Sequence, residues 1–297
     1  MNTTTSRRSR LPLRLAALVA LAACLATAPS ASAQHLTIRF FNVGQGDAAL
    51  VTSPEGKAML VDAGPERDQV DRFLHRLHID TLDLIVASHN HADHITGIPA
   101  VLQSGTTVRF YLDNGVPTTT QAYARVLRAV QRSRVTYLNP TARTIHLGSV
   151  VVRVIPPMPG VETQNNTSVG LLVTYGAFTA FFAGDAESLE RDYWLRTDHL
   201  SHVTLLKVAH HGSSNGTDAR WLAALTPCVA VISVGAHNRY GHPSAKTLRL
   251  LGAARVMTLR TDRDGTVEVE ANRSGQVTIH TGEAARTARP GCRVAQN

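Results

Sequence analysis

The chain has 297 residues, 43% hydrophobic and 18% charged, with 21 Gly and 13 Pro. That composition supplies a sizeable core and excludes disordered and collagen-like classes, while the length admits one large domain or two small ones. Lys plus Arg number 30 against 22 for Asp plus Glu, but Arg7, Arg8, Arg10 and Arg14 stand in an acid-free leader, so 34–297 hold 26 against 22. A surplus that small is a weak argument for a polyanion partner.

Residues 1–14 are polar and Arg-bearing, 15–27 form an apolar run too short for a stable membrane span, and Ala31-Ser32-Ala33 has the small side chains of a cleavage site. Together they predict an export signal over 1–33 and a periplasmic or extracellular body. Leu21-Ala22-Ala23-Cys24 also resembles a bacterial lipobox, in which Cys24 would carry a lipid anchor to a membrane. Of the other cysteines, Cys228 sits in an apolar run and Cys292 in a polar tail; they either pair in an oxidising compartment or remain separate.

In the body, 38–43, 49–52 and 58–61 read as an opening β-meander with a turn at 54–57. Val70, Phe73, Leu74 and Leu77 recur at helical spacing over 68–78, 82–87 is a buried strand, and 122–130 is a second amphipathic helix. Gly176 turns a hairpin between 169–175 and 177–183. Strands at 203–208, 229–234, 255–259 and 266–270 then alternate with helices near 187–196, 217–224 and 244–252. One domain over 34–282 with a disordered tail from 283 to 297 is expected.

Directly after the buried strand comes His89-Asn90-His91-Ala92-Asp93-His94. In an extended segment residues two apart point the same way, so His89 and His91 can hold one ion, while Asp93 and His94, past the bend, reach a second. Asp185 follows the apolar run Ala180-Phe181-Phe182-Ala183, where a carboxylate needs a cation or a helix N-terminus to cap. His210 and His211 are adjacent, and the sequence does not choose which of them ligates.

These residues resemble the HxHxDH signature of the metallo-β-lactamase superfamily. Val61-Asp62-Ala63-Gly64, Ala183-Gly184-Asp185 and Ala209-His210-His211-Gly212-Ser213 match further landmarks in order. Phe41-Asn42-Val43-Gly44-Gln45-Gly46-Asp47, Asn166-Thr167-Ser168 and the run from Lys207 to Ser213 are more narrowly similar to the hydrolase domain of ComEC/Rec2 competence proteins and their free-standing exported relatives. The resemblance implies an α/β fold, the four-layer αβ/βα sandwich. It also implies two divalent ions, Zn or Mn, with metal ligands among His89, His91, Asp93, His94, Asp185, His210 and His211.

In the same terms Asp185 bridges the ions, Asp62 supports the metal loop, and Asp93 or Asp62 orients the attacking water, with His211 also in the catalytic set. A third-motif histidine common in the superfamily has no counterpart in 162–168, so Asn166 or Ser168 is expected to stand in for it, and both are candidate substrate contacts. Asn238, Arg239 and His242, in the loop after the strand at 229–234, are candidates for binding or protonating a phosphate oxygen. The expected reaction is hydrolysis of a phosphodiester, with extracellular DNA as substrate. The alternatives are a phosphocholine esterase, a lactonase or β-lactamase-type hydrolase, and a non-catalytic metal-containing binding protein.

Overall fold

Alternating apolar residues commit the first strands to a two-faced sheet: β1 (Leu36–Phe40), β2 (Ala49–Thr52) and β3 (Ala58–Val61) form the expected antiparallel meander. The structure, a computed structural model, describes residues 35–282 and 284–286 together with Met1 and Thr3. Helix α1 (Gln69–Arg76) buries Val70 and Leu74, and β4 (Thr81–Val86) runs parallel to β3, apolar on both faces as a strand covered on two sides must be. Then come α2 (Ala92–Ile95), α3 (Ile98–Gln103), the parallel strand β5 (Thr107–Leu112), α4 (Gln121–Arg132) and the edge strand β6 (Thr136–Leu138).

The second sheet opens antiparallel with β7 (Arg143–Leu147), β8 (Val150–Ile155), β9 (Gly170–Tyr175) and β10 (Phe178–Phe182). After α5 (Ser188–Thr197) it continues in parallel through β11 (Leu205–Lys207), α6 (Ala219–Leu225), β12 (Val229–Ile232), α7 (Ala245–Ala253) and β13 (Met257–Arg260). A short α8 (Thr261–Asp264) leads back to the first sheet, where β14 (Val267–Ala271) pairs with β1, and β15 (Val277–Thr281) and β16 (Ala284–Arg286) extend the edge.

The strand orders are β16-β15-β14-β1-β2-β3-β4-β5-β6 and β13-β12-β11-β10-β9-β8-β7. Ile38, Val51, Met59 and Val86 of the first sheet and Val152, Val173, Phe178 and Phe182 of the second belong to one buried cluster between the sheets. Leu50, Leu60 and Ile85 pack outward under α1, α3 and α4, while Phe181, Leu206 and Ala230 pack under α5, α6 and α7. Helix, sheet, sheet, helix is the four-layer αβ/βα sandwich that the motifs implied.

Two expectations need adjustment. The first strand stops at Phe40 because Asn42 to Asp47 turn inward to the site described below. The tail expected to be disordered from 283 is ordered at its start, where Ala284–Arg286 pairs with β15; 287–297 lie outside the described residues. The expected export signal and Cys24 also lie outside them. Cys228 is disulfide-bonded, the first of the two alternatives above, and Cys292 falls outside the described residues.

Candidate metal centre

Parallel strands deliver their following residues to the carboxyl edge of a sheet, where ligands gather in open α/β folds. Here the ends of β3, β4, β10, β11 and β12 release Asp62, His89, Asp185, His211 and Ser233 into one cluster. The turns are tight. Asp62, His210 and His211 hold φ of 59°, 51° and 50°, a left-handed conformation uncommon for non-glycine residues. Gly184, at φ 51°, lets the β10 end approach the metal loop: a Cβ there would stand 3.0 Å from that of Ser88. At Gly46 a Cβ would meet the Asp93 carbonyl oxygen at 2.3 Å.

Hydrogen bonds fix the ring tautomers. Asp62 Oδ1 accepts from the Ser88 backbone N–H at 2.7 Å, and Oδ2 accepts from Ser88 Oγ at 2.8 Å and His94 Nδ1 at 2.8 Å. With its proton given to Asp62, Ser88 Oγ accepts from His89 Nδ1 at 3.1 Å. His211 Nδ1 donates to the Ser233 carbonyl at 3.0 Å. When neutral, each ring thereby keeps its proton on Nδ1 and offers Nε2, and all three Nε2 atoms point toward Asp185 Oδ2, at 3.7 Å from His89, 3.3 Å from His94 and 3.6 Å from His211.

His91 Nδ1 lies 3.0 Å from His89 Nε2. His89, His91 and Asp185 form one candidate ion site, and His94, His211 and Asp185 the core of a second. Asp93 Oδ2 reaches to 3.2 Å from His211 Nε2 on its open side. His94 Nε2, His211 Nε2 and Asp185 Oδ1 are buried without a hydrogen-bond partner. Buried lone pairs converging in this way are costly unless a cation satisfies them, so the residues present fit two divalent ions sharing Asp185.

The charges of the metal-free site answer one another. Burial opposes ionisation of Asp185, but His211 and His94 override it and hold the carboxyl well below its ordinary range. Asp93 is likewise held low against burial by His94 and His211. Burial works against protonation of His94 and His211, but Asp185, with Asp62 for His94 and Asp47 for His211, raises both above the ordinary imidazole value. Burial and the neighbouring His94 push His89 well below it.

Several expected site residues stand elsewhere. Asp62 is buried with both oxygens engaged, which suits holding the metal loop and corrects the idea that it orients water. The side chains of Asn166 and Ser168, expected to stand in for a ligand, are bonded within the protein. Asn166 Oδ1 accepts from the Glu190 N–H and its amide faces Thr163 and Glu187, while Ser168 Oγ donates to the Asn165 carbonyl and accepts from the Asp185 N–H. Asn238 does line the cleft described below, with its amide bonded within its own loop to Gly235, Tyr240 and His242.

His210 is displaced to the edge, its Nε2 4.0 Å from Asp185 Oδ2 and its Nδ1 3.6 Å from Glu187 Oε1. From there a ring ladder runs outward. His242 lies 5.6 Å from His210, Tyr240 stacks on His242 at 5.8 Å, and the Arg239 guanidinium sits 5.2 Å over Tyr240. Arg239 and Tyr240 with Gln45, Pro65 and Asp93 line an open cleft of about 380 Å³.

Sequence reasoning missed a pair beneath the centre. Lys207 Nζ bonds Asp47 Oδ2 at 2.7 Å, and Asp47 lies 3.9 Å from Nδ1 of both His94 and His211. Asp47 is within ligating distance of the second cluster, but it faces the ring nitrogens that already donate, so it belongs to the floor. The available signal was a lysine ending the buried run Leu205-Leu206-Lys207, since a buried cation requires a partner.

Comparison with known proteins agrees with this geometry. The chain is 27% identical over 266 residues to ComE operon protein 3 of Bacillus subtilis, covering 82% of this chain and 34% of that protein. It is 26% identical over 236 residues to Recombination protein 2 of Haemophilus influenzae, covering 77% of this chain and 28% of that protein. The chain thus spans about a third of the length of these curated relatives. Among solved structures, the metallo-beta-lactamase fold protein YhfI from Bacillus subtilis aligns with TM-score 0.55 at 13% identity, over 80% of this chain and 100% of that one. CmlA, a diiron beta-hydroxylase from Streptomyces venezuelae, aligns with TM-score 0.51 at 16% identity, over 76% and 52%. Residues 41–237, which hold the ligands of both candidate ion sites described above, match the metallo-beta-lactamase superfamily, and the chain belongs to that family of metal-dependent hydrolases.

Proposed function

We propose that this protein is an exported dinuclear metallohydrolase that cleaves phosphodiesters, with extracellular DNA as its substrate. The observation that carries the reading is the convergence of His89, His94 and His211 Nε2 on a shared Asp185, beside a cleft lined by Asp93 of the metal loop and by Arg239. The similarity to the ComEC/Rec2 hydrolase domain supports the substrate class, and the Arg-bearing leader ending in Ala31-Ser32-Ala33 supports export. Among the described residues no helix is long and apolar enough to cross a membrane.

Two bound divalent ions, zinc or manganese, would supply Lewis acidity toward water and toward the phosphate oxygens. The chain's own residues do the positioning. Asp62 through Ser88 and His94, and Ser233 through His211, hold the Nδ1 protons and keep the Nε2 atoms aimed. Asp93, one third exposed and held ionised, borders the cleft, where its carboxylate can align the attacking water. Arg239 stands at the outer end of the ladder to grip a phosphate oxygen, leaving His242 and His210 facing the space between it and Asp185.

Purified protein should hydrolyse bis-p-nitrophenyl phosphate and plasmid DNA, lose both activities to a chelator, and regain them with Mn²⁺ or Zn²⁺. Fully metallated protein that binds DNA but turns over no phosphodiester would make it a binding protein. Turnover of nitrocefin or a lactone alone would keep the metal centre and replace the substrate class.

A further inference from the structure

From residue 114 to residue 161 the chain contains six arginines and no Asp or Glu. The rest of the body, 34–113 and 162–297, has 20 basic against 22 acidic residues, so this one segment carries the whole positive surplus. Within it, Gln121, Arg125, Arg128 and Arg132 fall at i, i+4, i+7 and i+11 of α4, which places them in one line along the helix. The buried face of the same helix is Ala122, Tyr123, Val126 and Ala129.

Arg128 and Arg132 are exposed and Arg125 is half-buried, and Arg134 continues the charge just past the helix end. Seven other arginines, Arg39, Arg72, Arg109, Arg153, Arg191, Arg220 and Arg260, each have a carboxylate within 4.0 Å. Among the described residues none lies that close to Arg125, Arg128, Arg132 or Arg134. Three unpaired guanidinium groups in one line on a helix, with a fourth just past its end, repel each other, a cost that an external polyanion removes.

The stripe is joined to the metal centre. Helix α4 packs on α2, which carries Asp93 and His94, and Asn90 of the metal loop donates to Asn114 Oδ1 and the Val116 carbonyl in the segment leading into α4. From Arg125 to Arg132 the helix rises about 10 Å, the span of about three successive phosphates on one nucleic-acid strand. A membrane-surface helix would also need a free apolar face, and that of α4 is buried in the core.

We propose that Arg125, Arg128, Arg132 and Arg134 form an exosite that grips the phosphate backbone of a nucleic-acid strand whose scissile phosphodiester lies at the metal centre. The proposal rests on the phosphodiesterase reading above. Its test is the metal-loaded triple variant Arg125→Gln/Arg128→Gln/Arg132→Gln, compared with wild type on bis-p-nitrophenyl phosphate, which is too small to reach the stripe, and on a long oligonucleotide at several salt concentrations.

Turnover of the small ester and the bound metal should be unchanged, while KM for the oligonucleotide rises about tenfold or more and the slope of log affinity against log salt falls by about 2. An unchanged KM and salt slope overturns the exosite. So does loss of binding to phosphatidylglycerol vesicles with oligonucleotide binding intact. If wild type cleaves no phosphodiester yet binds the oligonucleotide through these arginines, the catalytic reading fails and the exosite stands. If wild type cleaves the small ester and neither cleaves nor binds the oligonucleotide, the exosite fails and the catalysis stands.

Discussion

Asp185 is the residue on which both candidate ion sites depend, because its Oδ2 lies within 4.0 Å of all four ring nitrogens contributed by His89, His94, His210 and His211. Asp185→Asn should therefore lower the metal content of both sites, whereas His89→Ala should empty chiefly one, as elemental analysis of the purified variants would read. Two tightly held ions in Asp185→Asn would contradict the shared carboxylate. Asp62 acts at one remove. Asp62→Ala frees His94 Nδ1 and Ser88 and should weaken metal affinity by about 10–100-fold without changing ligand number. The ligands were legible in the sequence because His89, His91, Asp93 and His94 lie together and their spacing has a chemical meaning. Asp47 was not, since its role exists only through Lys207, far away in the chain.

At the scale of elements, reading failed where a segment's meaning depends on what packs against it. Residues 165–168 offered amide and hydroxyl groups at the place of a missing ligand, yet they fold against α5, where Glu190 captures them. The buried Glu190 carboxylate accepts from the Met158 and Ser168 N–H groups, and Ser168 in turn holds the Asp185 N–H. Strands β5 and β6 escaped detection for a related reason: near the sheet edge their exposed positions blur the alternation that marks a half-buried strand.

Burial pushes the Glu190 carboxyl up to about 8 from an ordinary 4.5, against the pull of its two N–H donors. Between those values the unfolded chain binds fewer protons than the folded one, so stability should fall as pH rises from about 4.5 to about 8, by up to a few kcal/mol. Urea unfolding across that range should show a shallower decline in Glu190→Gln than in wild type. Parallel curves would mean that Glu190 is not the group responsible.

For the whole molecule, the decisive feature is that the metal centre draws its ligands from both sheets. The first supplies His89, His91, Asp93 and His94 after β4, and the second supplies Asp185 after β10 and His211 after β11. Ions bound there tie the two halves of the sandwich together and bind the folded state alone. At free metal about 100-fold above Kd each ion contributes about 2.7 kcal/mol, which for a chain of this size raises Tm by roughly 5–10 °C per ion. The pH dependence has a definite sign. In the metal-free protein His94 and His211 are raised above the ordinary imidazole value, so their protonation stabilises the fold at low pH and that contribution is lost as pH rises through the folded values. Metal ions occupy the same Nε2 positions and must displace those protons, so they bind weakly in acid and replace the missing positive charge in base. The Tm difference between metal-loaded and chelated protein should therefore widen from about pH 6 to about pH 9, as thermal unfolding at fixed free metal would measure. A difference that stays constant or narrows over that interval would show that His94 and His211 do not exchange protons for metal.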